Sequence, residues 1–358
     1  MTIEPHEKKG TAPKLGVYVN NRAAVFLGEG FTLSDLIDLA VSAEDAGLDF
    51  VSVGDSLLAK PRYSPIVVLA GIAAVTKQIE LTTGILQPHM RNPVMLAQEW
   101  ATLDVLCGGR TSLGVGLGTG PLELVEAEYR LIGIPKRKRG VAFDEAITLL
   151  RQLWTEPEVT FSGEVFQIDS ATVGFSSARR PHPPILVACG GYVPEQAGTG
   201  PNDFYSPETA GTFTGPFERV VRLGDGWITG IVTPDEYRRA LGVVDALAQQ
   251  RGRKLDDGFE RRLNCFLHIG PDAAQARQVG QEFLESYHRL PFDSETLDRW
   301  LIAGTAEACA EQISAYVDAG VTSFQFVLAD HQQQRQLERL ANDLAPRVRD
   351  NVTVAAMA

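Results

Sequence analysis

Thr111-Ser112-Leu113-Gly114-Val115-Gly116-Leu117-Gly118-Thr119-Gly120 decides between two α/β architectures. It reads as an apolar strand running into glycines, the setting in which an open dinucleotide-binding sheet places Gly-x-Gly-x-x-Gly. The third glycine of that pattern is missing in every frame, because it falls on Thr119, Pro121 or Glu123. No Gly-Lys-Ser/Thr phosphate loop occurs either. The glycines therefore belong to the end of one strand among several equivalent ones.

Outward from this stretch, strand-like runs rich in Val, Ile, Leu and Phe alternate with helical patterns. The strands are expected at 14–20, 50–53, 80–86, 111–117, 184–189, 226–231, 263–269 and 323–328. Such runs suit parallel strands buried on both faces. Two of the intervening helices share their punctuation. One starts at Thr32 with Asp35 three residues on and closes as Asp45-Ala46-Gly47. The other starts at Thr305 and closes as Asp318-Ala319-Gly320, and a strand follows each. Eight strands alternating with helices predict an α/β (β/α)8 TIM barrel with insertions after strands 4 and 5. A single domain is expected over 14–350, behind a loosely held segment at 1–13. A hairpin-like piece interrupts the alternation at 159–168. The stretch 192–216, rich in Gly, Pro, Thr and Ser, follows the fifth strand on the face where barrels keep their active sites, and is expected to act as a lid.

Composition narrows the function. The 358 residues include 45 acidic and 33 basic side chains, for a net charge of -12. That field repels polyanions, so neither nucleic acid nor an anionic membrane is an expected partner. No apolar run reaches the roughly 20 residues of a membrane span, and Met1 to Lys14 lacks the apolar centre of a signal peptide. The four cysteines, Cys107, Cys189, Cys265 and Cys309, stand singly in apolar stretches and the six histidines form no metal-spaced pair. Reduced thiols in a cytoplasmic protein, with no metal site, are the expectation.

Barrel chemistry is built from the loops after the strands. Those exits offer Asn20, Gly54-Asp55-Ser56, Gly84-Ile85 with His89, Gly118-Thr119 and Gly190-Gly191. Three glycine-rich exits on one rim favour close approach of a phosphorylated or planar cofactor. Asp55 either acts as a base or bonds the amides of its own loop. His89 is either an acid/base group or a surface-loop histidine. The run Lys136-Arg137-Lys138-Arg139 reads as a solvated turn, or as presenting Arg139, at a helix start, to a phosphate. No nucleophile elbow occurs, no Schiff-base lysine is visible, and all the lysines but Lys60 lie outside the strand exits.

Several phrases in order resemble the bacterial-luciferase-like family of flavin- and deazaflavin-dependent oxidoreductases. They are Ala46-Gly47-Leu48-Asp49-Phe50, Thr82-Thr83-Gly84-Ile85 with Arg91-Asn92-Pro93, Gly108-Gly109-Arg110, Leu113 to Gly118, Arg222-Leu223-Gly224-Asp225-Gly226-Trp227 and Gly304-Thr305-Ala306-Glu307. The resemblance implies a (β/α)8 barrel and a cis peptide at Gly84-Ile85 behind the flavin ring. It places that ring near Gly84, Ile85, Gly118 and Thr119. Its phosphate would meet Arg139, Gly190, Gly191, Thr214 and Gly215. Asn20, Asp55 and His89 are the expected substrate contacts. It further implies a two-component monooxygenase acting on a small organic substrate with oxygen. Reduced FMN would come from a separate NAD(P)H:flavin reductase. Hydride transfer with coenzyme F-420 is the alternative, and a non-catalytic flavin-binding protein is the reading from another class. A homodimer through the early barrel helices is expected. Two positions depart from the pattern: Ser56 stands where luciferase and the F-420-dependent glucose-6-phosphate dehydrogenases have a histidine, and Leu117 stands where luciferase has an arginine.

Overall fold

A computed structural model describes residues 12–26, 31–190 and 215–355. Eight parallel strands form the closed barrel: β1 (Lys14–Tyr18), β2 (Phe50–Val53), β3 (Glu80–Thr83), β4 (Thr111–Val115), β7 (Ile185–Ala188), β8 (Gly226–Gly230), β9 (Glu260–Ile269) and β11 (Ser323–Leu328). β11 pairs with β1, which closes the cylinder. All eight expected strands are present. The remaining three lie outside the cylinder or beside it. β5 (Val159–Ser162) and β6 (Gln167–Ala171) form the antiparallel hairpin of the insertion after the fourth barrel strand. β10 (Leu301–Gly304) pairs with the second half of β9, a strand that the sequence did not reveal. The segments 1–11 and 191–214, and with them most of the expected lid, lie outside the described residues.

The helix punctuation is as expected. Thr32 and Asp35 make a reciprocal capping box on the helix Leu33–Asp45, and Thr305 caps the helix Ala306–Asp318. Gly47 and Gly320 carry positive φ just past their ends.

Each barrel strand has two unlike faces. Outward residues such as Leu15, Val17, Val51, Val53, Leu113, Val115, Ile185, Val187, Phe324 and Phe326 join the helices in the main core. The inner face carries polar and small residues together with the Phe50 ring. Arg262 of β9 reaches Thr82 of β3 at 3.3 Å and lies over the Phe50 ring of β2 at 4.0 Å. Its neighbours on the ladder are β8 and β11, so these contacts cross the cylinder. Arg262 is fully buried and pairs with Glu260 at 2.6 Å, while Ser323 donates to the same carboxylate. Lys14 and Glu80 complete the lower ring. One layer higher, Gln325 Nε2 donates to Asn264 Oδ1 at 2.8 Å.

Burial works to raise the Glu260 carboxyl, but Arg262 and Lys14 outweigh it and hold it at about 2, below the ordinary 4.5. The stabilisation of roughly 3 kcal/mol that this implies is complete above about pH 4.5. It is lost as pH falls through about 2. Arg262→Leu strands the carboxylate in the barrel and is expected to cost about 3–5 kcal/mol in urea unfolding at pH 7. The loss should shrink near pH 4, where the orphaned acid takes up a proton. A loss below about 1 kcal/mol would show that the ion cluster contributes nothing net.

Candidate active site

The C-terminal strand ends open into a mouth whose floor is the Gln325–Asn264 amide pair. Glycine shapes that floor. A Cβ at Gly84 would collide with the Gln325 amide, and one at Gly118 (φ 75°) with the Gln87 amide. A Cβ at Gly116 would come within 3.1 Å of Ile85 and 3.3 Å of Ala188. The Gly84-Ile85 peptide is cis, as the resemblance implied. Gly84, Ile85 and Gly118 thus meet on one side of the mouth. Thr119 joins them as the acceptor for Lys60 Nζ at 3.4 Å.

Gly190 (φ 72°) ends the fifth barrel strand, and its carbonyl accepts from Thr229 Oγ1 at 2.7 Å. Gly215 opens the helix Gly215–Leu223, while Gly191 and Thr214 lie outside the described residues. Arg139 is exposed at the start of the helix Arg139–Thr155, and its charge is felt at both His89 and Tyr129.

The three expected substrate contacts sit in different surroundings. Asn20 is buried at the mouth beside Tyr287, whose hydroxyl donates to Oδ1 at 3.2 Å, and its Nδ2 has no partner among the described residues. Asp55 is engaged through both oxygens. Arg91 Nη1 donates at 2.6 Å to one and Nη2 at 2.9 Å to the other, and the Gln87 N–H adds a third bond at 3.0 Å. A carboxylate bound this way fastens the β2 and β3 exits together, and suits positioning better than proton abstraction. His89 is a core residue rather than a loop one. Its Nε2 meets Tyr129 Oη at 2.7 Å, and Tyr129 and Phe143 flank its ring. Burial lowers its pKa to about 3, with nearby arginines adding to the effect, so the imidazole is neutral at physiological pH.

The structure adds groups that the sequence reading missed. Arg62 Nη1 donates to the Tyr18 hydroxyl at 2.5 Å, over Gly54, where any Cβ would strike both groups. The Arg22 guanidinium lies 4.5 Å from the Tyr287 ring centre. Glu128, almost fully buried, accepts from the N–H groups of Leu57, Leu58 and Ala59 at 3.0, 2.6 and 2.9 Å. Ser56 Oγ lies 3.3 Å from the same oxygen and accepts from the Lys60 N–H at 2.9 Å. Gln325 and Asn264 did leave a signal: in Ser323-Phe324-Gln325-Phe326 and Arg262-Leu263-Asn264-Cys265 every second residue is polar.

A barrel with glycine-lined strand exits, a cis peptide after the third strand and, among the described residues, few acid/base groups suits a flat redox cofactor. The chain belongs to the luciferase-like monooxygenase family, whose model matches residues 14–198 and 214–323, and is an oxidoreductase. It is 26% identical over 327 residues to an F-420-dependent glucose-6-phosphate dehydrogenase of Amycolatopsis mediterranei, covering 90% of this chain and 96% of that one. It is 29% identical over 347 residues to the enzyme of the same name from Kineococcus radiotolerans, covering 90% and 95%. Among solved structures, a monooxygenase from Streptomyces bottropensis superposes with a TM-score of 0.75 at 21% identity, covering 93% of this chain and 99% of that one.

Two outcomes test this geometry. Glu128→Gln is expected to cost about 1–3 kcal/mol and to speed hydrogen exchange at the amides of residues 57–59. For His89, the unfolded chain takes up a proton below about pH 6.5 while the folded chain does so only near 3, so its contribution to stability falls with pH across that window. The ring protons of His89 should show no NMR titration between pH 8 and 5. A midpoint near 6.5 would contradict its burial.

Proposed function

We propose that this protein is a deazaflavin-dependent oxidoreductase that transfers a hydride between coenzyme F-420 and an organic substrate. The observation that carries the reading is the match to F-420-dependent dehydrogenases across 90% of the chain. It reverses the order of the expectations above, in which reduced FMN came first.

The residues at the mouth fit a tricyclic ring. The glycines at 84, 116 and 118 leave no room for side chains beside Ile85, Gln87 and Gln325. Gln325 Oε1 and Asn20 Nδ2 are buried polar atoms without partners among the described residues, which a bound ring and substrate would satisfy. The deazaflavin supplies the hydride chemistry. The chain's part is to hold the ring against Gly84-Ile85, with Arg139 and Gly190 as the phosphate contacts. Asn20 and Lys60 orient the substrate, and the aromatic wall of Tyr18, Tyr287 and Phe266 excludes water.

Glucose 6-phosphate is not the substrate that this site favours. The histidine of those dehydrogenases is Ser56 here, and its hydroxyl is committed to Glu128 and the Lys60 N–H. The second reading, a monooxygenase using FMN from a separate reductase, is favoured by the family description. A homodimer is part of the proposal. Val67 and Met95, 67% and 60% exposed, lie on the neighbouring helices Pro65–Val75 and Pro93–Leu106.

Fluorescence titration of cofactor-stripped protein with F-420 and with oxidised and reduced FMN tests the cofactor. Preference for F-420 without oxygen consumption is expected, and tight binding of reduced FMN with oxygen uptake in air would replace this reading with the second. Gly84→Ala should weaken F-420 binding about tenfold or more, since the displaced Gln325 must enter the ring site. In light scattering, Val67→Glu/Met95→Glu should halve the mass. An unchanged mass would place the interface elsewhere.

A further inference from the structure

Hydride transfer to a carbon that bears oxygen also moves a proton, and the residues first expected to move it are engaged elsewhere. Asp55 is tied to Arg91, and His89 is enclosed by Tyr129 and Phe143. The Ser56 hydroxyl is committed to Glu128 and the Lys60 N–H. The first barrel strand carries a different group. We propose that the Tyr18 hydroxyl, set in place by Arg62, binds the carbonyl oxygen of the substrate and gives it a proton. The inference rests on the cofactor reading above and makes the substrate an aldehyde or a ketone.

Three observations lead there. The first is direction. Leu15, Val17 and Val19 pack outward in the main core, so Gly16, Tyr18 and Asn20 alternate onto the inner face. Tyr18 and Tyr287 share one aromatic cluster, and Tyr287 donates to Asn20 Oδ1 at 3.2 Å. The Tyr18 hydroxyl lies against Gly54. The next residue, Asp55, donates its N–H at 2.9 Å to the carbonyl of Ile85, in the cis peptide against which the ring is held.

The second is hydrogen-bonding capacity left over. Tyr18 Oη accepts from Arg62 Nη1 at 2.5 Å, and no acceptor for its own proton occurs among the described residues. Asn20 Nδ2, on the same face of the strand, is a buried donor without a partner among those residues. This side of the mouth therefore offers donors to an oxygen that becomes negative.

The third is charge. Arg62 Nε donates to the Lys60 carbonyl at 3.0 Å, and no carboxylate pairs with the guanidinium among the described residues. Its charge is turned on a neutral phenol and would stabilise a phenolate. Burial pushes the Tyr18 hydroxyl up to about 12 against the pull of Arg62, so it keeps its proton at neutral pH and serves as an acid. A hydride passes from the reduced deazaflavin to the carbonyl carbon, the C=O π pair moves onto oxygen, and that oxygen takes the phenolic proton. Water then reprotonates the phenolate, and the cofactor's remaining proton goes to solvent as its ring is oxidised.

The first readout is binding to the full chain loaded with F-420, without turnover. Substituted phenols ionised at about pH 9, where Tyr18 keeps its proton, carry a charged oxygen like the one that forms in the reaction. Wild-type affinity is expected to rise with phenol basicity, because a stronger acceptor gains more from the donor. Tyr18→Phe keeps the ring, and should flatten this slope and weaken the most basic phenolate about 10- to 100-fold. Arg62 is a positioning residue: Arg62→Gln should lower the slope and Arg62→Lys restore part of it, which simple loosening of the loop would not do. The second readout is reduction of a set of aliphatic, cyclic and aromatic aldehydes and ketones by reduced F-420. There Tyr18→Phe should lower kcat about 100-fold and change KM less than about tenfold. A flat slope in the wild type, a slope that survives in Tyr18→Phe, or reduction of no carbonyl in the set overturns the inference while F-420 binding stands. Failure of F-420 to bind removes the cofactor reading, and this inference with it.

Discussion

A closed barrel of parallel strands must fill its own interior, and here Arg262 makes that possible. Its side chain crosses the cylinder from β9 to β3, stacks on Phe50 and neutralises Glu260. A buried cation of this kind is costly unless every neighbour answers it, and Thr82, Ser323 and Glu260 do. Gly16 leaves room for the Phe50 ring on which the guanidinium rests. With this polar layer set, the next one up is the Gln325–Asn264 pair, and the floor of the mouth follows from it.

The mouth itself is fastened by carboxylates acting on loops. Asp55 ties the β2 exit to the β3 exit through Arg91, and Glu128 gathers the amides of 57–59. Neither group is placed to move protons, and His89 is held neutral by burial. Among the described residues the mouth is short of free acid/base groups, which fits a site that supplies shape and exclusion of water to a cofactor. That division of labour is consistent with an oxidoreductase of this family.

The fold was legible because most barrel strands carry an outward row of Val, Ile, Leu and Phe, and because Thr32, Thr305, Gly47 and Gly320 mark helix ends. β10 was not legible: Leu301-Ile302-Ala303-Gly304 is short and follows a helix without a turn signal. The glycine exits at 84, 118 and 190 were readable as close-approach positions. Asp55 and His89 could be read only as ionisable residues near strand ends. What fixes their roles is a partner far along the chain, Arg91 for one and Tyr129 for the other, and no local pattern reports such pairings. The same holds for Glu128, which lies on the buried face of a helix among apolar neighbours.

Glu128 grips backbone rather than side chains, and this separates two properties of the rim that usually change together. The path of the chain from Ser56 to Ala59 is set by N–H groups, which every residue but proline possesses. The side chains at 57 and 58 are therefore open to substitution, and Leu57 already points largely into solvent. A lineage could try out new rim chemistry at these two positions without having to rebuild the loop beneath them. Changes in loop length, by contrast, would break the nest of amides and should be selected against.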